Sequence, residues 1–485
     1  MIDQDMRIFF APTSVLIYGA SRSKTKSGHY ALKNMIKYSP ESLFIIHPKA
    51  DEILGVKCYR DVQTLPHKEG EFIDLAIISL PVQFVTEAVL ACIEIGVRGI
   101  LIQSGDIALS DEKVESDWRV IQGALDEKED KFGKRTRIMG PNSLGIFNNQ
   151  DNFFTGIMDF DVSPPFCNDN LAIVAQTGLV VSGYLMDLFE SQDVGISHIL
   201  AIGNKLDVDE CDVLRYLIKD EHTKTVAFYL EGIKDGRCFC KLCEEAIHEC
   251  DKKILLLNSG KSELGKMAIA SHTNSLAADD NLLKGICNQL GIIQVDNFAE
   301  LMLTGKLATH LHLPRGRRIG LISISGAGCV LSADFADKYG FTVPRLPNEL
   351  VESLSPIFPE WEEINHPVDM WGSIERYGPK TYDQVIEKFL GSGLFDLIIF
   401  CSIAGRRALL DYKNLRSLLH NHPDIPVILQ IFGGFNELKK NLSEEFERPN
   451  KHDAYLPVVY DLERVMKLLS KLVDLKMLKD RKSAV

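Results

Sequence analysis

A histidine stands in the stretch Ala268-Ile-Ala-Ser271-His272-Thr273-Asn274-Ser275-Leu276-Ala277-Ala278-Asp279, flanked by hydroxyls and a small amide and bracketed by small apolar residues. This composition reads as an imidazole on a polar bend with closely packed backbone on either side. A neutral imidazole is nucleophilic near pH 7 without a metal, and a carboxylate on its other ring nitrogen would fix the tautomer and steady the cation formed on phosphorylation. The same residues also suit a hydrogen-bonded histidine in a surface loop. The choice rests on what the rest of the chain can bring to His272.

Two stretches could supply partners. Thr225-Val-Ala-Phe-Tyr-Leu230 is a buried apolar strand that ends in Glu231-Gly232. Nothing in that run calls for a carboxylate, so Glu231 either faces water or takes a donor such as an imidazole N–H. Leu171-Ala-Ile-Val-Ala175 enters Gln176-Thr177-Gly178 and then the helical pattern Leu179, Val180, Tyr184, Leu185, Leu188 and Phe189. A strand, a small turn and a helix N-terminus present backbone donors and a dipole suited to phosphate, although Thr-Gly also serves as a plain cap.

These stretches lie within a repeated grammar. Ser14 to Tyr18 is apolar, turns at Gly19-Ala20-Ser21-Arg22, and passes Ser27-Gly28 into an amphipathic run from Tyr30 to Ile36. That is the opening βα unit of a doubly wound sheet, without the G-x-G-x-x-G spacing of a plain dinucleotide fingerprint. Strands at Ser42–Ile46, Asp74–Ser79 and Gly99–Ile102 follow, entering His47-Pro48-Lys49, Leu80-Pro81 and Gln103-Ser104-Gly105, with a helical stretch from Val85 to Ile95. Gly140-Pro141-Asn142-Ser143 closes the unit. Each strand ends in a turn on one edge of the sheet, where open α/β sheets bind ligands. After the linker Leu313-Pro314-Arg315-Gly316, Ile319–Ser323 leads to Ser325-Gly326, and further strands are expected at Leu397–Cys401 and Val427–Ile431. This last unit offers a glycine-loop edge suited to a partner or a phosphate, and no nucleophile.

Two clusters need separate weighing. The loop Asn204-Lys205-Leu-Asp207-Val-Asp209-Glu210-Cys-Asp212 holds four carboxylates that could bind a cation, but a helix follows at once, which favours an N-terminal cap. Cys238, Cys240, Cys243, His248 and Cys250 fail as one metal site. On a helix Cys240 and Cys250 would lie about 15 Å apart, whereas thiolates sit roughly 2.3 Å from a shared ion. Helical spacing instead puts Cys240, Cys243, Ile247 and Cys250 on one buried face, with His248 turned away. No metal site is expected.

The chain has 485 residues, too many for one core, and should form about three domains. Its net charge of -13 makes a nucleic-acid backbone or an anionic membrane a poor partner. Runs such as Ile254–Leu257 fall far short of the roughly 20 apolar residues that cross a bilayer, and the start lacks a basic region followed by an apolar core, so a cytoplasmic protein is expected. Its 11 cysteines show no disulfide spacing.

The ordered turns Gly19-Ala-Ser21, Pro48-Lys49, Gly140-Pro-Asn142, Gln176-Thr-Gly178, Gly203-Asn-Lys-Leu-Asp-Val-Asp-Glu210, Tyr229-Leu-Glu231-Gly232, Gly260-Lys-Ser262, Ser271-His-Thr273, Ser325-Gly326 and Asn365-His-Pro367-Val-Asp369 resemble the alpha part of the nucleoside-diphosphate-forming acyl-CoA synthetases, relatives of succinyl-CoA synthetase. The resemblance implies an α/β chain with a Rossmann-like CoA-binding domain at 1–148 and two flavodoxin-like domains at 149–310 and 315–475, the first of these carrying the phosphohistidine loop. It implies that His272 is phosphorylated during turnover, that Glu231 hydrogen-bonds its ring and that Gln176, Thr177 and Gly178 hold the phosphate. It places Gly19, Ala20, Ser21, Arg22, Pro48, Lys49, Pro81, Gln103, Ser104 and Asn142 around CoA. The implied reaction is ADP-forming ligation of a small carboxylic acid to CoA, with ATP or ADP and Mg2+ on a separate ATP-grasp beta subunit in a heterotetramer, because no stretch here has that module's glycine-rich loop.

Four residues depart from the family pattern: Asn274 for glycine, Thr177 for serine, His47 for asparagine and Ser143 for the cysteine of some relatives. Two alternatives stay open. One is a non-catalytic CoA-binding or scaffold relative; the other is an acyl or carbamoyl transferase that needs no nucleotide.

Overall fold

The computed structural model describes residues 4–66, 72–105, 112–132, 135–157, 170–180, 183, 195–272, 279–405, 412–447 and 455–483. Two compact units form, Met1–Leu301 and Met302–Val485. The first contains two sheets and the second contains one.

The first sheet takes strands β1 (Ser14–Tyr18), β2 (Ser42–Ile46), β3 (Glu52–Ile53), β4 (Val56–Tyr59), β5 (Leu75–Ile78), β6 (Gly99–Ile102) and β7 (Arg137–Met139) in the order β3-β4-β2-β1-β5-β6-β7. Apart from the β3–β4 hairpin the pairings are parallel. Leaving out β3, the remaining strands have the 3-2-1-4-5-6 order of a Rossmann sheet. All four residues of β5 and of β6 are buried, as a parallel strand covered on both faces requires. Leu16, Ala76, Ile78 and Ile100 pack against Val89 and Ile93 of the helix Val85–Glu94. Tyr18 pairs with both Ile46 and Ile78, so the turns at Gly19, His47 and Ser79 leave the sheet at one level.

The second sheet takes β8 (Gly145–Asn148), β9 (Phe153–Phe154), β10 (Leu171–Ala175), β11 (Ile196–Ala201), β12 (Thr225–Leu230), β13 (Lys253–Asn258) and β14 (Ile293–Gln294) in the order β14-β13-β12-β10-β11-β8-β9. From β10 to β14 this is the flavodoxin order 2-1-3-4-5, extended by antiparallel β8 and β9. The residues from Gly145 onward therefore join the second sheet. The third sheet, β15 (Ile319–Ser323), β16 (Val368–Asp369), β17 (Leu397–Ala404), β18 (Val427–Gly434) and β19 (Val458–Val459), repeats that order as β16-β15-β17-β18-β19. β17 and β18 each run three residues past the apolar stretch read from sequence, because the parallel ladder continues to Ala404 and Gly434 across a bulge. The helix expected after Gly178 lies mostly outside the described residues, as do Asn274 and residues 158–169.

Two local expectations change. The helix Gly236–Glu244 passes into a π turn at Glu245–Glu249. The wider turn shifts the 3.6-residue repeat, so Cys243 and Ile247 stay buried while Cys250 is exposed and the His248 Nε2 lies 3.0 Å from the Leu290 carbonyl. His272 has helical backbone, on the helix Glu263–His272, rather than lying on a bend. Ser262 Oγ accepts from the Gly265 N–H at 3.0 Å near the start of that helix.

One buried titratable group stands away from any site. His198 on β11 is 2% exposed, its ring edge packs on Phe10, and Phe10 stacks on Tyr216 at 3.9 Å. Asp220 Oδ2 lies 3.6 Å from Nδ1, yet burial outweighs this carboxylate and lowers the His198 pKa from 6.5 to about 4. A depressed imidazole contributes stability above 6.5 that is lost as pH falls toward 4, since the unfolded chain takes up the proton first. Thermal denaturation followed across that window should show a falling midpoint, and His198→Gln should flatten the slope.

Candidate functional site

Reversal of strand order opens a crevice between β1 and β5 in the first sheet and between β10 and β12 in the second. At the first crevice lies a cavity of about 1170 Å3. Its walls include Gly19, Ala20, Ser21, Pro48, Pro81, Gln103 and Ser104 from the sequence-nominated set, together with Tyr18, Lys26, Gly28, His47, Arg60 and Phe84. Arg22, Lys49 and Asn142 stand beside the wall. An Arg22 guanidinium N–H donates to the Glu52 carbonyl at 2.6 Å, the Lys49 amide donates to His47 Nδ1 at 3.1 Å, and the Asn142 amide donates to the Ser104 carbonyl at 2.9 Å.

Two glycines set the shape of the cavity floor. A Cβ on Gly28 would meet the Gly19 carbonyl oxygen at 2.0 Å, and one on Gly19, whose φ is +88°, would meet the Ser79 carbonyl oxygen at 2.2 Å. Side chains there would force the first turn away from the neighbouring strand end. His47 Nδ1 accepts from the amides of both Lys49 and Ala50, which places the neutral ring's proton on Nε2. Burial, then the Arg60, Arg22 and Lys49 charges, holds His47 below its ordinary value. Tyr18, Lys26 and Arg60 escaped sequence reasoning because they come from a strand end and two separate turns with no shared spacing. The Ser27-Gly28 pair ahead of the amphipathic run was the one signal the chain offered.

The second crevice joins the other nominated residues. β10 and β12 align Ala175 with Tyr229, so Gln176 leaves β10 beside Leu230, the last residue of β12. Gln176 is 3% exposed; its amide donates to the Tyr229 carbonyl at 2.9 Å, and its side-chain oxygen accepts from the Glu231 amide at 3.0 Å. Glu231 is 7% exposed, and its Oε1 accepts from the Tyr229 hydroxyl at 3.4 Å. Burial pushes the Tyr229 phenol up, which keeps it a donor. Thr177 Oγ1 accepts from the Leu179 amide at 3.2 Å as a cap does, and a Cβ on Gly178 would strike Leu144 Cδ1 at 2.2 Å. The backbone of His272 is helical, and its side chain lies outside the described residues, as do residues 273–278.

The carboxylate loop is occupied by protein partners. Asp209 caps the helix Glu210–Lys219 in a reciprocal box with Asp212. Arg137 binds Asp207 at 3.0 Å and Asp212 at 2.8 Å, and Lys205 binds Glu210 at 2.9 Å. Asp207 also accepts from the Ile138 amide at 2.8 Å. The four carboxylates therefore serve the cap and the cations Arg137, Lys205 and Arg215, as the helix that follows them suggested.

Residues 10–104 match the family described as "CoA binding domain", and residues 168–308 match "Succinyl-CoA ligase like flavodoxin domain". The chain is 34% identical over 414 residues to "Acetate--CoA ligase [ADP-forming] II" of Archaeoglobus fulgidus, covering 84% of this chain and 59% of that protein. It is 29% identical over 457 residues to "Acetate--CoA ligase [ADP-forming] II subunit alpha" of Pyrococcus furiosus, covering 91% of this chain and 94% of that one. The chain belongs to the ADP-forming acyl-CoA synthetases. The fold of the "dinucleotide forming Acetyl-coenzyme A synthetase 1" of Ca. Korarchaeum cryptofilum is shared at a TM-score of 0.81 over 99% of both chains, with 24% identity. The chain spans about three fifths of the Archaeoglobus relative and half of a Methanocaldococcus jannaschii one. Among the described residues no helix is long and apolar enough to cross a membrane.

CoA, which this family's first domain implies, fits the first cavity on two observations. The glycine floor lets the phosphate-bearing part of a ligand approach backbone N–H groups. Gln103 is 5% exposed, and its Nε2 donates to the Thr155 carbonyl at 2.5 Å while its Oε1 is buried with no protein partner. An amide N–H of a pantetheine arm would satisfy that acceptor. Gln103→Leu should weaken CoA binding by about tenfold, the worth of roughly one hydrogen bond, and should also lower the melting temperature, because it leaves the buried Thr155 carbonyl without its donor. Isothermal titration with CoA, with desulfo-CoA as a second ligand, measures it.

Proposed function

We propose that the chain is the alpha subunit of an ADP-forming acyl-CoA synthetase that converts a small carboxylic acid, CoA and ATP reversibly to acyl-CoA, ADP and phosphate. The observation that carries this reading is the pairing of Glu231 with the Gln176 turn at the strand-order reversal of the second sheet. A carboxylate held there suits an imidazole N–H, and the Thr177-Gly178 turn beside it suits a phosphoryl group. The relatives named for ADP-forming acetate ligation support the choice of reaction.

In this mechanism His272 accepts the phosphoryl group of an acyl phosphate and passes it to ADP, or the reverse. Dividing the transfer at a covalent intermediate lets two separate pockets share one phosphoryl group. Glu231 holds the ring proton on the nitrogen that faces it, leaving the other nitrogen free to attack, and offsets the charge that develops on the ring. Gln176 fixes the Glu231 backbone through the 3.0 Å hydrogen bond from the Glu231 amide, and the Gln176–Gly178 turn would hold the phosphate. CoA supplies the thiol that receives the acyl group, held by Gly19, Ala20, Ser21, Pro48, Pro81, Gln103 and Ser104, with Arg22, Lys49 and Asn142 ordering the wall behind them. ATP or ADP and Mg2+ belong to a separate ATP-grasp beta subunit, assembled with this chain as a heterotetramer; the Pyrococcus relative is named as a subunit alpha.

The test combines the chain with an ATP-grasp partner, γ-labelled ATP, CoA and a panel of acids. Thioester formation with release of ADP, together with an acid-labile label that His272→Ala abolishes and Glu231→Gln slows by about a hundredfold, supports the proposal. Binding of CoA without thioester from any acid favours the non-catalytic relative. Acyl transfer that proceeds without nucleotide favours the transferase.

A further inference from the structure

Lys205 and Glu210 form an ion pair whose side chains are 5% and 0% exposed, in the loop and first helical turn that follow β11. Withdrawing two charges from water costs more than their attraction returns unless further hydrogen bonds use the remaining donors and acceptors. Here those bonds go to the loop that follows β12. Lys205 Nζ donates to the Gly232 carbonyl at 2.6 Å as well as to Glu210 Oε2, and Glu210 Oε1 accepts from the Lys234 amide at 2.6 Å. Lys234 Nζ reaches back to the carbonyls of Lys205 and Leu206 at 3.2 and 3.1 Å. Glu231 is thereby held on both sides, its own amide by Gln176 and the residues after it by the ion pair.

The pair is itself tightly placed. Lys205 has a positive φ of 55°, and the loop before it hydrogen-bonds the cis Gly140–Pro141 turn through Asn204 N–H to the Pro141 carbonyl at 2.9 Å. Glu210 starts its helix, where the dipole favours a carboxylate, and the Asp209 cap fixes its backbone. A hydrophobic pair of similar volume could fill this space without the desolvation cost. It would leave the Gly232 carbonyl and the Lys234 amide unheld.

We propose that Lys205 and Glu210 are positioning residues for the Glu231 carboxylate, setting the path of the chain at Gly232–Lys234 so that Glu231 meets the ring of His272. The proposal rests on the reading of Glu231 as the partner of the phosphorylated histidine. Its role is geometric: neither residue touches the phosphoryl group or CoA.

The experiment uses the full chain assembled with its ATP-grasp partner and measures kcat, KM for CoA, the rate of His272 phosphorylation and the melting temperature. Lys205→Met alone would leave the Glu210 charge buried and unpaired, so the informative variant is the double change Lys205→Met and Glu210→Leu, which removes both charges. It should keep its melting temperature and a KM for CoA within about twofold of the parent, while kcat and the phosphorylation rate fall by about thirtyfold or more. Glu210→Gln keeps one acceptor, for either Lys205 or the Lys234 amide, and leaves the Lys205 charge buried and unpaired, so its melting temperature should fall while its phosphorylation rate lies between the parent and the double variant. A parental phosphorylation rate in the double variant overturns the proposal. So does a loss of rate that tracks the melting temperature through both variants. A parental rate in Glu231→Gln would instead overturn the reading on which the proposal rests, whatever the double variant does.

Discussion

A parallel sheet whose strand order reverses has to part the turns on either side of the reversal, because the connections on the two sides run to opposite faces. All three sheets of this chain contain such a reversal, at β1/β5, β10/β12 and β15/β17. The parted turns leave a crevice at the carboxyl ends of the strands, lined by whatever residues come next in sequence. In the first sheet that placement produces a cavity with a glycine floor; in the second it sets Gln176 against Glu231. The chemistry of the molecule depends on this one topological constraint, since neither group of residues is contiguous in the chain.

The crevices differ in how they are stiffened. Around the first, the close approach of Gly28 to Gly19 and of Gly19 to Ser79 leaves no room for a Cβ, so backbone rather than side chain forms the floor. Around the second, side chains carry the load. Gln176 spends its carbonyl oxygen on the Glu231 amide, and the buried Lys205–Glu210 pair and the half-buried Arg137 cross-tie segments that the sheet leaves unconnected. Such ties are poor sources of net stability, because desolvation offsets most of the attraction, but they define direction well. In the role proposed for Glu231, facing an imidazole at hydrogen-bonding distance, direction counts for more than additional stability.

The two crevices of the first unit are also joined through backbone. The Asn142 amide bonds the Ser104 carbonyl on the cavity wall, and the Asn204 and Leu206 amides bond the carbonyls of Pro141 and Gly140. Lys205 lies between those last two and reaches Gly232. The cavity wall, the Gly140–Asn142 turn and the Glu231 loop thus share a continuous set of short bonds. The positive φ of Asn142 and Lys205, at 60° and 55°, marks where this path bends most sharply.

Much was legible from the chain alone. Apolar runs with glycine or proline turns located β1, β2, β5, β6, β10, β12 and β15, because a strand covered on both faces has to be apolar throughout. The ordered turn residues carried the family resemblance and nominated Glu231, Gln176 and Gly19. Sequence stopped short where spacing carries no information about distance. Lys26 and Arg60 share no motif with Gly19, and the partner of Glu210 is Lys205 only because the loop turns through a left-handed residue. The shift at Glu245–Glu249 escaped for a related reason, since a π turn breaks the periodicity on which a helical face is inferred. The sequence by itself determined which residues are strands and turns, because burial and backbone freedom are local demands on residue type. The tertiary structure alone decided which turns face one another, because strand order is set by packing between segments far apart in the chain.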